Sequence, residues 1–137
     1  MHALTADDHA LVRAASDLLV RAYDDRNHRV AAAVRGASGE VHLGLHLAST
    51  RVNICAEPSA IANARMAGEN GLDTIVAVGM GADGLPKVIN PCGVCRELVP
   101  HYGEGLRVIV DDAGEIGVIA PADLLPIPWV RAQSYDN

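Results

Sequence analysis

Apolar positions near the start of the chain recur with a helical period: Leu11, Val12, Ala15, Leu18, Leu19 and Ala22 share one face of a 3.6-residue repeat. Thr5 followed by Asp7 and Asp8 has the form of an N-cap with acids in the first turn, so a first helix is expected from there to about Tyr23. The period then changes. Residues 30–34 are a short apolar run and 36–39 are turn-rich. Residues 41–47 alternate, with Val41, Leu43, Leu45 and Leu47 on one side and His42, Gly44 and His46 on the other. That alternation predicts a returning hairpin strand whose leucine side is core and whose histidine side is ordinarily solvated. Residues 74–78 and 106–110 are continuous apolar runs, the form taken by strands covered on both faces.

Prolines place the remaining helices. Pro58 is excluded from a helix interior by its missing N–H and its clash with the previous turn, so a second helix should start near Ile54 or Cys55. Asn90-Pro91 reads as an N-cap and a first helical residue, which opens a third helix with Cys92 and Cys95 on one face. Pro121 would suit the first position of a short helix around 121–125. The order α-β-β-α-β-α-β implies a partly parallel sheet with helices on its faces, hence a three-layer α/β/α sandwich with a mixed central sheet. No repeat, low-complexity segment or linker divides the chain. Its 137 residues, half of them apolar, are enough for a single domain spanning 1–137.

Composition narrows the function. Phe is absent and aromatics are 3%, so the core must be aliphatic. A net charge of -6 speaks against nucleic acid, whose non-specific binding draws on Lys and Arg. No apolar run approaches the roughly 20 residues that cross a bilayer, and the N-terminus lacks the basic and apolar regions of a signal peptide. A cytoplasmic protein acting on a small neutral or cationic molecule, with neither nucleic acid nor membrane as partner, is expected. Three cysteines, an odd number, suit reduced thiols or a metal better than a disulfide framework.

Those cysteines carry the chemistry. Cys55-Ala56-Glu57 is followed one element later by Pro91-Cys92-Gly93-Val94-Cys95. Three thiolates can hold Zn2+ and leave its fourth tetrahedral position to water, with Glu57 as proton carrier. Two helix N-termini would converge on the metal and favour thiolate over thiol. A structural zinc normally closes its fourth position with a protein ligand, and neither a fourth Cys nor an H-x₃-H pattern is present. The plainer alternatives are a redox pair for the two nearby cysteines and a dipole-stabilising first-turn carboxylate for Glu57.

The stretches Ile54-Cys55-Ala56-Glu57 and Asn90-Pro91-Cys92-Gly93-Val94-Cys95-Arg96 resemble the cytidine deaminase family, within it the small free-nucleoside enzymes that include blasticidin S deaminases. The likeness runs from about Val30 to Trp129, more loosely through Ala48-Ser49 and Leu124-Leu125-Pro126. It implies hydrolytic deamination of a free cytosine-type nucleoside, with ammonia released, Cys55, Cys92 and Cys95 on zinc and Glu57 catalytic. It also implies that Ala56 and the segment 89–91, with Asn90 and Pro91, hold the pyrimidine edge. Small relatives form tetramers, so a homotetramer, or a homodimer, is expected.

The substrate end departs from that pattern. Relatives specific for nucleosides carry N-x-E before C-A-E to bind the ribose hydroxyl; those positions are Gly44 and His46 here. A Phe that lines the base pocket in relatives corresponds to His28. Three-cysteine relatives commonly place Arg directly after the Glu, to bond a ligand sulfur; Pro58 stands there, which leaves Arg96 as the substitute. The residues thus leave open an ordinary cytidine or deoxycytidine substrate, a blasticidin S-type aminonucleoside, and a catalytically silent zinc-binding module. Trp129 either caps a pocket or merely packs.

Overall fold

Thr5 does cap the first helix, and the cap anchors the sheet as well. In the computed structural model, which describes residues 1–103 and 105–133, α1 spans Ala6–Ala22. Thr5 Oγ1 accepts from the Asp8 amide at 3.2 Å, and Asp8 Oδ2 accepts from the Thr5 amide at 2.9 Å. Asp8 is fully buried, and Arg107 donates to both of its oxygens at 2.7 Å and to Thr74 Oγ1 at 2.9 Å. One carboxylate therefore closes a capping box and ties α1 to two central strands.

The strands that follow are β1 (Val30–Gly36), β2 (Val41–Leu45), β3 (Leu47–Ala48) and β4 (Asn53–Ile54). After α2 (Ala56–Met66) come β5 (Leu72–Met80) and β6 (Pro86–Ile89). Then α3 (Gly93–Leu98), with a 3₁₀ turn at Val99–Tyr102, precedes β7 (Arg107–Asp112), β8 (Glu115–Ile119) and α4 (Pro121–Leu124). The main sheet has the order β2-β1-β5-β7-β8, with β6 also on β5; β5 and β7 are parallel and the other pairs antiparallel. The mixed sheet between helices agrees with the sequence reading. The hairpin partners β6 and β8 and the small β3–β4 pair were not expected: each is five residues or fewer, too short for a period to declare itself.

Alternation divides the core into two layers. Ala31, Ala33, Val76 and Val78 pack with Leu11, Ala15 and Leu19 of α1, while Ala32, Val34, Ile75 and Ala77 pack with Ala56, Ala60, Ile61 and Ala64 of α2. The small alanines on β1 and α2 let helix and sheet approach closely. Closest is Gly44: a Cβ there would overlap the Ala56 carbonyl and the Ala60 amide, and would lie 2.8 Å from Ala60 Cα.

This packing corrects the reading of 41–47. Leu43 and Leu45 do face the α1 layer, but Val41 and Leu47 are exposed, and the strand ends at Leu45. The opposite side is not solvated: α2 covers Gly44, His46 is buried and bonded to Asn53, and His42 is half-buried against Glu69, at 2.7 Å. Alternation alone reports one covered face; residues distant in sequence cover the other.

The β5 edge is forked. β7 pairs with its beginning, at Thr74 and Ile75, and β6 with its end, from Ala77 to Met80. Between the two branches the Asn90 amide acts as a substitute ladder, donating to the Asp111 carbonyl and accepting from the Asp111 amide, each at 2.9 Å.

Two outcomes follow. Gly44→Ala should destabilise the fold by roughly 3 kcal/mol, the upper end for overpacking, in urea unfolding at neutral pH. The second concerns acid. The Arg107 guanidinium holds the Asp8 carboxyl down to about 2, against an ordinary 3.8. Its stabilisation is complete above the ordinary value and lost as pH falls through the folded one. Roughly 2 kcal/mol should disappear between about pH 4 and pH 2, and urea midpoints of Asp8→Asn should lack that component of the acid slope.

Candidate functional site

Both cysteine motifs open helices, two residues later than expected in the second case. Cys55 is the N-cap of α2 and Cys92 the N-cap of α3, each extended in backbone and without a side-chain cap hydrogen bond. Asn90 is drawn off to Asp111 and Pro91 stays outside the helix, so the Asn-Pro pair is not the cap. Pro58 falls at the third position of α2, where an absent N–H costs nothing.

The three sulfurs meet at one point. Cys55 Sγ is 3.3 Å from Cys92 Sγ, Cys92 Sγ is 3.8 Å from Cys95 Sγ, and all three lie within 4.8 Å of one another. Zinc–sulfur bonds of about 2.3 Å in a tetrahedron put sulfurs roughly 3.8 Å apart, so this donor set can hold the ion with a small adjustment. Cys92 differs from the other two thiols: burial pulls its pKa up, but the N–H groups of Cys95 and Val94 and the neighbouring thiols bring it below its usual value. Burial pushes Cys95 well up, aided by the Glu57 charge, and pushes Cys55 up, aided by Cys92. Binding a metal through sulfur requires all three thiols to give up their protons.

Glu57, two residues into the turn, is 5% exposed. Burial raises its carboxyl above the ordinary range, outweighing its own backbone N–H and the Cys95 thiol. A half-enclosed cavity of about 210 Å³ opens over it. Cys55, Ala56, Glu57 and Cys92 line it, together with Val30, Ile89 and Asn90. Arg29, His46 and Asn53 complete the wall.

The remaining sequence-derived positions divide. Ala56, His46 and Asn90 border the cavity, although both functional ends of the Asn90 amide are taken by Asp111. Gly44 does not border it, because α2 fills the space beyond its Cα. His28 and Pro91 are also absent from the wall: His28 Nδ1 donates to the His46 carbonyl at 2.8 Å, and the buried Pro91 carbonyl accepts from Arg96 Nε at 2.8 Å. Arg96 reaches the Leu124 carbonyl at 3.4 Å with its other end, so its bonds go to carbonyls and not to a ligand sulfur. Trp129 is 69% exposed and lines a separate cavity of about 720 Å³ with Pro100, Leu125 and Pro128. Asn53 and Arg29 were missed; Asn53 stands two residues before Cys55 on a short strand, and that spacing is the signal that could have found it.

Metal analysis of the purified chain should give close to one zinc per molecule. Cys92→Ser should lower the zinc content and the thermal midpoint together, whereas stoichiometric zinc in the triple Ser variant would exclude these ligands.

Comparison with known proteins agrees with this geometry. Residues 5–110 match the family described as the cytidine and deoxycytidylate deaminase zinc-binding region. A blasticidin-S deaminase of Bacillus cereus is 33% identical over 134 residues, covering 93% of this chain and 96% of that protein. The crystal structure of a cytidine deaminase from Burkholderia pseudomallei superposes with a TM-score of 0.73 at 30% identity, covering 92% of this chain and all of that one. A cytidine deaminase from Mycobacterium leprae gives 0.71 at 25% identity, covering 86% and 96%. With a thiol cluster suited to the family's zinc and a buried acid beside it, the chain belongs to the cytidine and deoxycytidylate deaminase zinc-binding family and is a hydrolytic deaminase.

Proposed function

We propose that this protein removes the exocyclic amino group of a free cytosine compound of the blasticidin S type, with Cys55, Cys92 and Cys95 as zinc ligands and Glu57 as the catalytic acid and base. The observation that carries the reading is the buried Glu57 carboxyl beside three converging thiols, with Glu57, Cys55 and Cys92 lining a small cavity. Cys55, Cys92 and Cys95 would hold the zinc, which when bound would supply a water with its pKa lowered to about 7. Glu57 would take a proton from that water and deliver it to the ring nitrogen beside the amino-bearing carbon, which becomes electrophilic. The new C–O bond would form there; the carboxyl would then take the proton of the new hydroxyl and pass it to the amino group, and the C–N bond would break with ammonia leaving. A burial-raised pKa suits a group that must both gain and give up a proton. Ala56 and the chain at Ile89 and Asn90 offer main-chain groups to the pyrimidine edge.

Two features support a substrate other than plain cytidine. The two positions that bind ribose in nucleoside-specific relatives hold Gly44, sealed by α2, and His46, whose ring is already bonded. The cavity, at about 210 Å³, is smaller than the roughly 300–1,000 Å³ of a pocket for a drug-sized ligand, which suits one ring with its substituent at the mouth. The near full-length likeness to a blasticidin-S deaminase points the same way.

In this reading residues 1–137 act as one domain in a reducing cytoplasm, where three free thiols persist. The proposed assembly is a homotetramer or homodimer. Exposed Leu47, Val52, Ile54 and Val94 around the cysteine motifs supply an apolar surface for a second copy.

Ammonia release across blasticidin S, cytidine, deoxycytidine and cytosine tests the assignment, with the highest kcat/KM expected for blasticidin S. Glu57→Gln should keep its zinc and lose turnover by on the order of 10²-fold or more, because an amide neither accepts nor delivers the transferred protons. Turnover near wild type in that variant would remove Glu57 from the mechanism.

A further inference from the structure

Away from the cavity, a second group of metal-binding side chains meets where the β1–β2 turn packs on the far end of α2. Glu40, just before β2, and His42, on it, approach Glu69, three residues past α2, and each offers a ligand atom within 4.8 Å of the other two. The deamination steps use none of them. The chain is shaped to bring Glu69 there. Gly68, at φ 94°, closes α2 in the left-handed conformation, and the Glu69 amide bonds back to the Ala64 carbonyl at 3.1 Å, which turns Glu69 inward until it is 5% exposed. Gly36 leaves the space that its carboxyl fills: a Cβ there would overlap the carboxyl carbon and both oxygens.

Two carboxylates around a neutral imidazole match a divalent cation in charge. Bonds from the Ser38 hydroxyl and from His42 hold the Glu69 carboxyl below its ordinary range, so it is ionised at neutral pH. His42 Nε2 donates to Glu69 Oε2 at 2.7 Å, and His42 is the one ion-pair partner of Glu69 among the described residues. Arg65, in the last turn of α2, donates to the Glu69 main-chain carbonyl instead. The Glu40 carboxylate has no partner among the described residues. Both negative charges thus stand by the C-terminal end of a helix, where the dipole favours a cation. His42 Nδ1 is bonded to none of the described residues, so the ring proton can move there and free Nε2 for a metal. Nitrogen and oxygen ligands at about 2.0–2.2 Å in a tetrahedron stand roughly 3.3 Å apart, so His42 and Glu69 need to part by only about half an ångström.

We propose that Glu40, His42 and Glu69 form a second, exchangeable divalent-cation site, suited to zinc, that ties the β1–β2 turn to the C-terminal end of α2. An imidazole beside carboxylates suits zinc better than magnesium or calcium. Ser38 sets the inner carboxylate in place, its amide donating to Glu69 Oε1 at 3.2 Å and its hydroxyl to Oε2. Without thiolates the site holds its ion more loosely than the three cysteines, so a desalted chain keeps the thiol-bound ion and loses this one. The site is independent of the deamination chemistry.

Isothermal titration of Zn2+ into the desalted, untagged full chain already holding one zinc should show a second equivalent bound with a Kd of about 10 µM or tighter. Glu40→Gln removes a ligand from an exposed position and should weaken that step at least about tenfold, with the thermal midpoint of the one-zinc chain unchanged. His42→Gln keeps an amide donor for Glu69 but loses the imidazole, and should abolish the step. Both variants should retain the first zinc. A wild type that takes up no second equivalent of that affinity, or a second step left unweakened in either variant, overturns the proposal.

Discussion

The nearness of α2 to the sheet is the constraint on which the rest of the site depends. The helix backbone lies against Gly44 so closely that no side chain fits between them, and alanines on both surfaces keep the spacing. That spacing sets where the first turn of α2 ends up, and with it Cys55, Ala56 and Glu57. A helix held by bulky side chains would stand away from β1 and β2, and its N-terminus would not reach the thiols of α3. Apolar burial supplies the attraction, while the absence of one Cβ decides the distance.

Burial then does electrostatic work. Removing Glu57 and Cys95 from water raises the cost of charging both, so each is held nearer its protonated form than it would be at the surface. Cys92, at the mouth of a helix whose N–H groups face it, moves the other way. Neighbouring groups with divergent proton affinities are what a site needs if it is to bind a cation through sulfur and still shuttle protons through a carboxyl at neutral pH.

How much of this could be read from the residues depends on the range of the interaction. The cap at Thr5, the two cysteine-bearing helix starts and the apolar runs 74–78 and 106–110 are local, and each declares itself within a few residues. The thiol cluster was legible because only three cysteines exist, and they flank helix starts. The second face of 41–47 was not: that α2 covers Gly44 while Glu69 meets His42 and Asn53 meets His46 depends on residues distant in sequence, and a glycine in an alternating strand looks the same whether solvent or a helix backbone lies above it. Asn90 misled for a related reason. Its sequence context fits a helix cap, but its amide is captured by Asp111, 21 residues away.

The two cysteine motifs lie 37 residues apart, on opposite sides of a stretch that contains α2, β5 and β6. A metal bound by all three thiols therefore closes a covalent-like loop around the central strand of the sheet. In the chain-entropy treatment used for cross-links, a loop of that length restricts the unfolded chain by about 4 kcal/mol, on a model-dependent scale. The branch of the β5 fork that carries β6 is secured on its open side by the single Asn90 amide, so the ion would serve as the clasp that ladder hydrogen bonds provide elsewhere in the sheet. In such an arrangement the ion would hold together the chain around it, and resistance to unfolding would become a function of the free metal concentration.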